Sequence, residues 1–139
     1  TVSKNIKQEI HKFDYLIIAC PLNEETKDMI NLKLIRNMKK NAVIINVARG
    51  PIINEADLYI ALKNKLIRGA IIDVWYNYPQ NGSSKKLYPS KYPLHQLDNV
   101  TLSPHSSAWS HQLWDRRFKF ICENLENLYN NRRLKNIVS

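Results

Sequence analysis

Four short apolar runs, with helical segments between them, constrain the fold of this chain more than any other feature. They are DYLIIAC at 14–20, AVIINVA at 42–48, GAIIDVW at 69–75 and NVTLS at 99–103. Runs of this length without polar alternation are typical of parallel strands covered on both faces. Strands that alternate with helices at this interval indicate βαβ units. The sequence therefore predicts an α/β fold with about four parallel strands.

Helical segments connect these runs. We predict helices over 4–12 and 31–39, and a third helix that begins at Asn54. The Asn54 side chain can cap this helix, and Glu55 and Asp57 in its first turn favour the helix dipole.

The second half of the chain contains a long loop and a long helix. Residues 79–98 hold three prolines and read as a loop, and a loop of this length is often functional. The final helix is predicted over 110–131, with Ser110 as its N-cap. One face of that helix carries an apolar stripe made of Trp114, Phe118, Ile121, Leu125 and Leu128.

Composition narrows the class of protein. The net charge is +9, but the basic residues are scattered, with short clusters such as Lys85–Lys86, so a solvated face is favoured over a polyanion site. Cys20 and Cys122 lie far apart without metal-ligand spacing, and both read as reduced core residues of a cytoplasmic protein. No apolar run reaches transmembrane length. We expect no metal, no nucleic acid and no membrane partner.

Chemically active residues follow the predicted strands. In open α/β sheets, ligands bind outside the carboxyl ends of the strands. Arg49 follows the second run, Asp73 ends the third, and His105 follows the fourth. A cation, a carboxylate and an imidazole therefore converge on one sheet edge, which indicates an anion-binding site with an acid/base group beside it.

The order and spacing of these segments resemble a known family. DYLIIACPLNEETKDMIN, MKKNAVIINVARGPIINEADLYIAL, RGAIIDVW and NVTLSPH together resemble the D-isomer-specific 2-hydroxyacid dehydrogenases over residues 13–138. The resemblance implies the second half of a doubly wound Rossmann-like domain over 1–109. It also implies a crossover helix and tail, 110–139, that run toward a substrate domain.

The family's glycine-rich GxGxxG turn and its acidic residue for the ribose have no counterpart in this chain. The resemblance therefore implies a fragment, which we expect to be inactive alone and to bind NAD(H) weakly.

The same resemblance implies roles for individual residues. Arg49 would bind the substrate carboxylate, because a planar guanidinium suits a carboxylate in a bidentate manner. His105 would be the general acid that protonates the keto oxygen, and the base in the reverse direction. Asp73 would hydrogen-bond the nicotinamide side of the cofactor. The residues implied in cofactor binding are Cys20, Pro21, Val47, Ala48, Arg49, Asp73, His105, Ser106 and Ser107.

The chain departs from the family pattern at Tyr78. The family usually reads DVFxxEP, with a glutamate that pairs with the catalytic histidine, whereas this chain reads DVWYNYP. Tyr78 therefore stands in the place of the glutamate. A carboxylate would favour the imidazolium, but tyrosine is uncharged at neutral pH and can only orient the ring. We expect His105 to be a weaker proton donor at neutral pH than its family counterparts.

Three functions stay open at this point. The first is an oxidoreductase that transfers a hydride between NAD or NADP and a small 2-hydroxy or 2-keto acid, as a homodimer in full-length form. The second is a non-catalytic NAD-binding regulatory protein on the same fold, which the loss of the glutamate supports. The third is polyanion binding through the positive charge.

Overall fold

The computed structural model describes residues 6–79 and 87–137. It divides into two compact units, Thr1–Ser107 and Ala108–Ser139. Lys85 and Lys86 lie outside the described residues, as does the middle of the loop predicted over 79–98. After this gap the chain forms a 3₁₀ turn at Leu94–Gln96.

The first unit contains one four-stranded sheet, as the apolar runs predict. Its strands are β1 (Tyr15–Ile18), β2 (Val43–Asn46), β3 (Gly69–Ile72) and β4 (Val100–Leu102). They are all parallel and lie in the order β1-β2-β3-β4. Each strand is shorter than its apolar run, because the residues at the ends of each run leave the hydrogen-bonded ladder.

The register aligns the ends of the four strands. Ile18 pairs with Asn46, Asn46 with Ile72, and Ile72 with Leu102, so these residues form one row across the sheet. The segments that leave the strands therefore start side by side. We call this side of the sheet the carboxyl edge.

Among residues 6–79 and 87–112, three short α-helices precede or connect the strands. They are α1 (Ile6–Glu9), which continues into a 3₁₀ turn, α2 (Leu32–Ile35) and α3 (Glu55–Lys63). The predicted cap is confirmed: the Asn54 side chain accepts a hydrogen bond from the Asp57 N–H at 3.1 Å. The helix predicted over 31–39 is only one turn long.

The core lies on one face of the sheet. Leu16, Ile44 and Ile72 are buried on this face and pack with helix residues such as Ile35 and Leu58. Right-handed crossovers that run in one direction along a sheet place their helices on the same face, so α2 and α3 share it.

The opposite face of the sheet is open, so the expectation that both faces are covered is wrong for the described residues. Tyr15 and Ile17 are each 62% exposed, and Ile71 on β3 is also exposed. The apolar runs indicate strands that suit burial on both sides. The runs do not indicate which segment covers the second face of the sheet. The two connecting helices, α2 and α3, both lie on the face that holds the core.

The second unit is built on α4 (Leu113–Tyr129). The residue before it is Gln112, with φ 61°, and the predicted Ser110 cap is wrong. The Ser110 hydroxyl accepts a hydrogen bond from the Arg116 guanidinium at 2.5 Å, so it does not reach a backbone N–H of the helix.

The apolar stripe of α4 is exposed. None of its residues is buried, and Phe118 is 61% exposed. Among the described residues, no helix is long and apolar enough to cross a membrane.

Candidate active site

The residues that follow the aligned strand ends build the candidate site. Asp73 directly follows β3. Arg49 follows β2 and His105 follows β4, the two strands on either side of β3. Adjacent strands are about 4.8 Å apart, so the segments that carry Arg49 and His105 leave the sheet about 10 Å from each other. The predicted convergence of cation, carboxylate and imidazole on one edge is confirmed.

Tyr78 contacts the ring of His105. The two residues are joined by a hydrogen bond of 3.1 Å between the Tyr78 hydroxyl and Nδ1, and the ring centroids are 5.6 Å apart. Trp75 N–H donates to the same hydroxyl at 3.0 Å and fixes its position. The register that places Tyr78 opposite the histidine is therefore correct.

This contact can serve both protonation states of the imidazole. A tyrosine hydroxyl has one donor and two acceptor sites, one of which the Trp75 N–H occupies. The hydroxyl can donate to an unprotonated Nδ1 of His105 or accept from a protonated one. Nε2 has no partner in the part of the chain that the structure describes. The Tyr78 contact therefore orients the ring and leaves its outer nitrogen available to a ligand.

His105 itself has a left-handed backbone conformation, with φ 60°. A residue with a Cβ adopts this backbone conformation at a cost of about 1–2 kcal/mol, and such strain often marks a functional position. The turn that holds it is built by Asp73. This side chain is 2% exposed and accepts hydrogen bonds from Ser103, Ser106 and Ser107.

The hydrogen bonds to Asp73 define its charge state. Burial raises the pKa of the carboxyl, but the Ser103 and Ser107 hydroxyls and the Ser106 and Ser107 N–H groups outweigh this effect. Together they lower the pKa of Asp73 from 3.8 to about 2. Asp73 is therefore an anion at neutral pH, and it cannot be the acid of a reaction at this edge.

Arg49 is exposed on a braced loop. Asn46, which is 1% exposed, accepts from Ala48 N–H at 3.1 Å and donates to the Arg49 carbonyl at 2.9 Å. The guanidinium donates to the carbonyl of Ala48 at 2.6 Å. Within residues 6–79 and 87–137 it forms no ion pair with a carboxylate. The positive charge is therefore available to an anionic ligand.

Gly50 fixes the Arg49 loop against the segment that leads to Tyr78. A Cβ at this position would lie 2.4 Å from the Trp75 carbonyl oxygen and 3.0 Å from the Tyr76 nitrogen. Only glycine allows the two backbones to approach so closely. The Arg49 loop and the Trp75–Tyr78 segment therefore form one packed unit.

The other residues expected at the cofactor differ in accessibility. Pro21 and Val47 are exposed, Cys20 is partly buried, and Ala48 is buried with its N–H bonded to Asn46. Exposed apolar side chains beside the carboxyl edge provide a surface for a flat ring. Pro21 and Val47 are therefore accessible to a ligand, whereas Ala48 is buried.

Sequence reasoning did not identify Asn46 or Ser103. Asn46 interrupts an apolar strand, and a polar side chain in such a run is a signal that could have found it. Ser103 precedes the Pro104–His105 pair, and nothing local indicates that its hydroxyl binds Asp73.

A parallel α/β sheet with an exposed guanidinium, an oriented imidazole and exposed apolar side chains at its carboxyl edge is typical of one half of a doubly wound nucleotide-binding domain. The chain belongs to the D-isomer specific 2-hydroxyacid dehydrogenases: residues 2–107 match the NAD binding domain of that family.

Curated relatives support this assignment. The chain is 34% identical over 120 residues to a glyoxylate reductase of Korarchaeum cryptofilum, an alignment that covers 86% of this chain and 34% of the relative. It is 32% identical over 135 residues to a D-3-phosphoglycerate dehydrogenase of Methanocaldococcus jannaschii, with 97% and 24% covered. The chain therefore spans about a third or less of the length of these two relatives.

Experimental structures show the same fold. An acyclic imino acid reductase in complex with NADPH and D-Arg superimposes with a TM-score of 0.76 at 30% identity, over 96% of this chain and 40% of the other. The D-lactate dehydrogenase of Lactobacillus jensenii with NAD⁺ gives a TM-score of 0.75 at 26% identity, over 96% and 42%.

Proposed function

We propose that this chain contributes the catalytic edge of an oxidoreductase that interconverts small 2-keto and 2-hydroxy acids with NAD or NADP. The observation that carries the proposal is the His105 ring, held at Nδ1 by Tyr78, at the same sheet edge as the exposed Arg49. An imidazole that can exchange a proton and a guanidinium that can bind a carboxylate are the two groups that a 2-keto acid requires.

The residues present fit the nicotinamide end of the cofactor and not its pyrophosphate end. Pro21 and Val47 are exposed and apolar beside the carboxyl edge, which suits one face of a nicotinamide ring. The three glycines of the chain form no GxGxxG turn for a pyrophosphate. A bound reduced nicotinamide would supply the hydride. Cys20, Ala48 and Ser107 complete the proposed lining.

The chain's own residues would act on the substrate as follows. Arg49 binds the carboxylate and orients the neighbouring carbonyl carbon. His105 donates the Nε2 proton to the carbonyl oxygen as the alcohol forms, and takes it back in the reverse direction. Tyr78 stays neutral and keeps the ring in place through the hydrogen bond to Nδ1.

The test is oxidation of NADH and NADPH, followed at 340 nm, by the natural gene product that carries residues 1–139. A panel of glyoxylate, pyruvate and hydroxypyruvate tests the substrate class. Arg49→Lys should raise the KM for the keto acid, because an ammonium cannot make the bidentate contact. His105→Gln should lower kcat by about 100-fold or more, the usual contribution of a general acid. Turnover that is unaffected by both substitutions would contradict the proposal.

Tyr78 supports a second candidate, a nucleotide-binding regulatory protein without turnover. A neutral partner does not favour the imidazolium as a carboxylate would. Tight NADH binding by the same gene product, with no oxidation by any acid of the panel, would favour this alternative. Homodimer formation is part of both proposals and is measured by analytical ultracentrifugation.

A further inference from the structure

Residues 88–92, which we call the strap, bind the segment that leads to Tyr78. The Pro89 carbonyl accepts hydrogen bonds from the N–H groups of Tyr76 and Asn77, both at 3.1 Å. A carbonyl has two lone pairs, so these two donors fill it. The Asn77 side chain donates to the carbonyl of the first strap residue, also at 3.1 Å. Three hydrogen bonds therefore join the strap to the two residues directly before Tyr78.

Glu55, the first residue of α3, fixes the strap in place. One of its carboxylate oxygens, Oε1, accepts from the Ser90 hydroxyl at 2.8 Å and from the Lys91 N–H at 2.6 Å. Hydrogen bonds to an ionised acceptor are stronger than neutral ones. Tyr92 also stacks on Tyr59 of the same helix, with the ring centroids 5.3 Å apart. The strap therefore connects α3 with the segment described above.

Tyr78 depends on its backbone for its position. It lies outside the helices and strands, and the residue is 43% exposed. An exposed side chain in irregular structure has few packing contacts, so the anchoring of the neighbouring backbone limits its motion. That anchoring has two parts: the Trp75 indole donates to the Ser103 carbonyl at 3.1 Å, and the strap binds the two residues that follow Trp75. Loss of the strap would release those two residues, and with them the hydroxyl that binds His105.

We propose that Glu55 is a positioning residue for the Tyr78–His105 pair and acts through the strap. The acceptor at Oε1 keeps the strap in place, the strap holds the backbone before Tyr78, and the Tyr78 hydroxyl then meets Nδ1 of the ring. This role is distinct from the favourable charge of Glu55 beside the α3 dipole. The inference rests on the proposed function for its effect on turnover, whereas its effect on the ring contact requires no turnover.

The test compares Glu55→Asp with Glu55→Gln in the natural gene product. Aspartate keeps the charge at the start of α3 but is shorter by one methylene, so its oxygens fall short of Ser90 and Lys91. Glutamine keeps an acceptor oxygen at the same reach without the charge. A dipole effect alone would make Glu55→Gln the more damaging exchange, whereas a positioning role makes Glu55→Asp the more damaging one. Asp57→Ala is the matched control, because it removes a carboxylate of the same helical turn that binds the Leu32 N–H at 2.9 Å.

The first readout is the contact between the two rings. Labelling histidine with ¹³C allows the nuclear Overhauser contact between the Tyr78 and His105 rings to be observed, and His105→Gln assigns the signal. We expect Glu55→Asp to weaken this contact and to accelerate hydrogen exchange at the two amides that the strap binds. Glu55→Gln and Asp57→Ala should retain the parent signal.

Kinetics provide the second readout. Glu55→Asp should lower kcat about 10-fold, because small displacements of a catalytic group are costly, and Glu55→Gln should stay close to the parent. An intact ring contact in Glu55→Asp would overturn the proposal. An equal loss of the contact in Glu55→Gln or in Asp57→Ala would also overturn it, since charge or general stability would then explain the effect. A parent without turnover contradicts the proposed function alone, because the ring contact is still measured.

Discussion

At the scale of single residues, the site combines a buried carboxylate, a histidine with a strained backbone and a neutral hydrogen-bond partner for the histidine ring. Asp73 is buried and ionised, His105 has a left-handed backbone, and Tyr78 binds the ring with a neutral hydroxyl. Each of these features makes a specific prediction about stability or titration.

Tyr78→Glu should move the NMR titration of the His105 ring to higher pH, because a carboxylate beside Nδ1 favours the imidazolium. The pH profile of keto-acid reduction should then extend upward. Tyr78→Phe is the matched control: it removes the hydrogen bond but no charge, and should leave the titration nearly unchanged. An unaltered titration in Tyr78→Glu would mean that a charge at this position does not reach the ring.

Asp73 should contribute to stability in a pH-dependent way. Its pKa is lowered from 3.8 to about 2, so its contribution of about 2 kcal/mol is present above pH 4 and is lost as the pH falls toward 2. Urea unfolding at pH 7 should show Asp73→Asn less stable by at least this amount, with the difference from the parent narrowing below pH 4. Asp98→Asn is the control, since Asp98 forms an exposed ion pair with Lys65 and should matter little.

His105→Gly should increase the free energy of unfolding by about 1 kcal/mol, because glycine adopts a positive φ without strain. The same variant loses the imidazole and should lose turnover. Lys65→Gly, at φ 52° after α3, is the comparison that relieves similar strain far from the site. Denaturant melts of both variants test the idea, and a destabilised His105→Gly would show that the ring's contacts outweigh the backbone strain.

At the scale of elements, strands and loops differ in how far the sequence predicts them. Apolar runs locate all four strands, and Asn54 marks the start of α3. Both features depend on residues that are close together in the sequence. Ser110 fails as a cap because the helix begins three residues later, at Leu113, and the Ser110 hydroxyl accepts from the Arg116 guanidinium instead. The bonds from Ser103 and Ser107 to Asp73 cross about 30 residues of sequence, and no local pattern indicates them.

Gly50→Ala should destabilise the protein by about 1–3 kcal/mol, the usual cost of overpacking. The new Cβ would meet the backbone of Trp75, which cannot move aside like a flexible side chain. Thermal unfolding measures the loss of stability. Ala56→Gly in α3 exchanges the same two residue types in the opposite direction, and it shows how sensitive the protein is to such an exchange away from the site. An unchanged melting temperature in Gly50→Ala would show that the two backbones separate easily.

At the scale of the whole molecule, the described residues expose two apolar surfaces, one in each compact unit. The first is the open sheet face with Tyr15 and Ile17, and the second is the stripe of α4 with Phe118. Parallel sheets are almost always covered on both faces, and exposed apolar patches promote association. The relatives, of which this chain spans about a third or less, are longer by enough residues to provide such cover.

Residues 1–139 alone should bind NADH weakly, because they offer apolar contacts to the nicotinamide end but no glycine-rich turn to the pyrophosphate. Isothermal titration calorimetry on this chain should show a dissociation constant well above the micromolar range. Micromolar binding would mean that another part of the chain holds the phosphates.

The close approach at Gly50 has a consequence for how this site can change in evolution. The loop that carries Arg49 and the segment that leads to Tyr78 share a backbone contact with no room for a side chain. Substitutions in the two loops should therefore be epistatic, since a shift in one displaces the other. A lineage that altered substrate recognition at Arg49 would have to re-adjust the partner of His105 in the same step, so the two loops would diverge together.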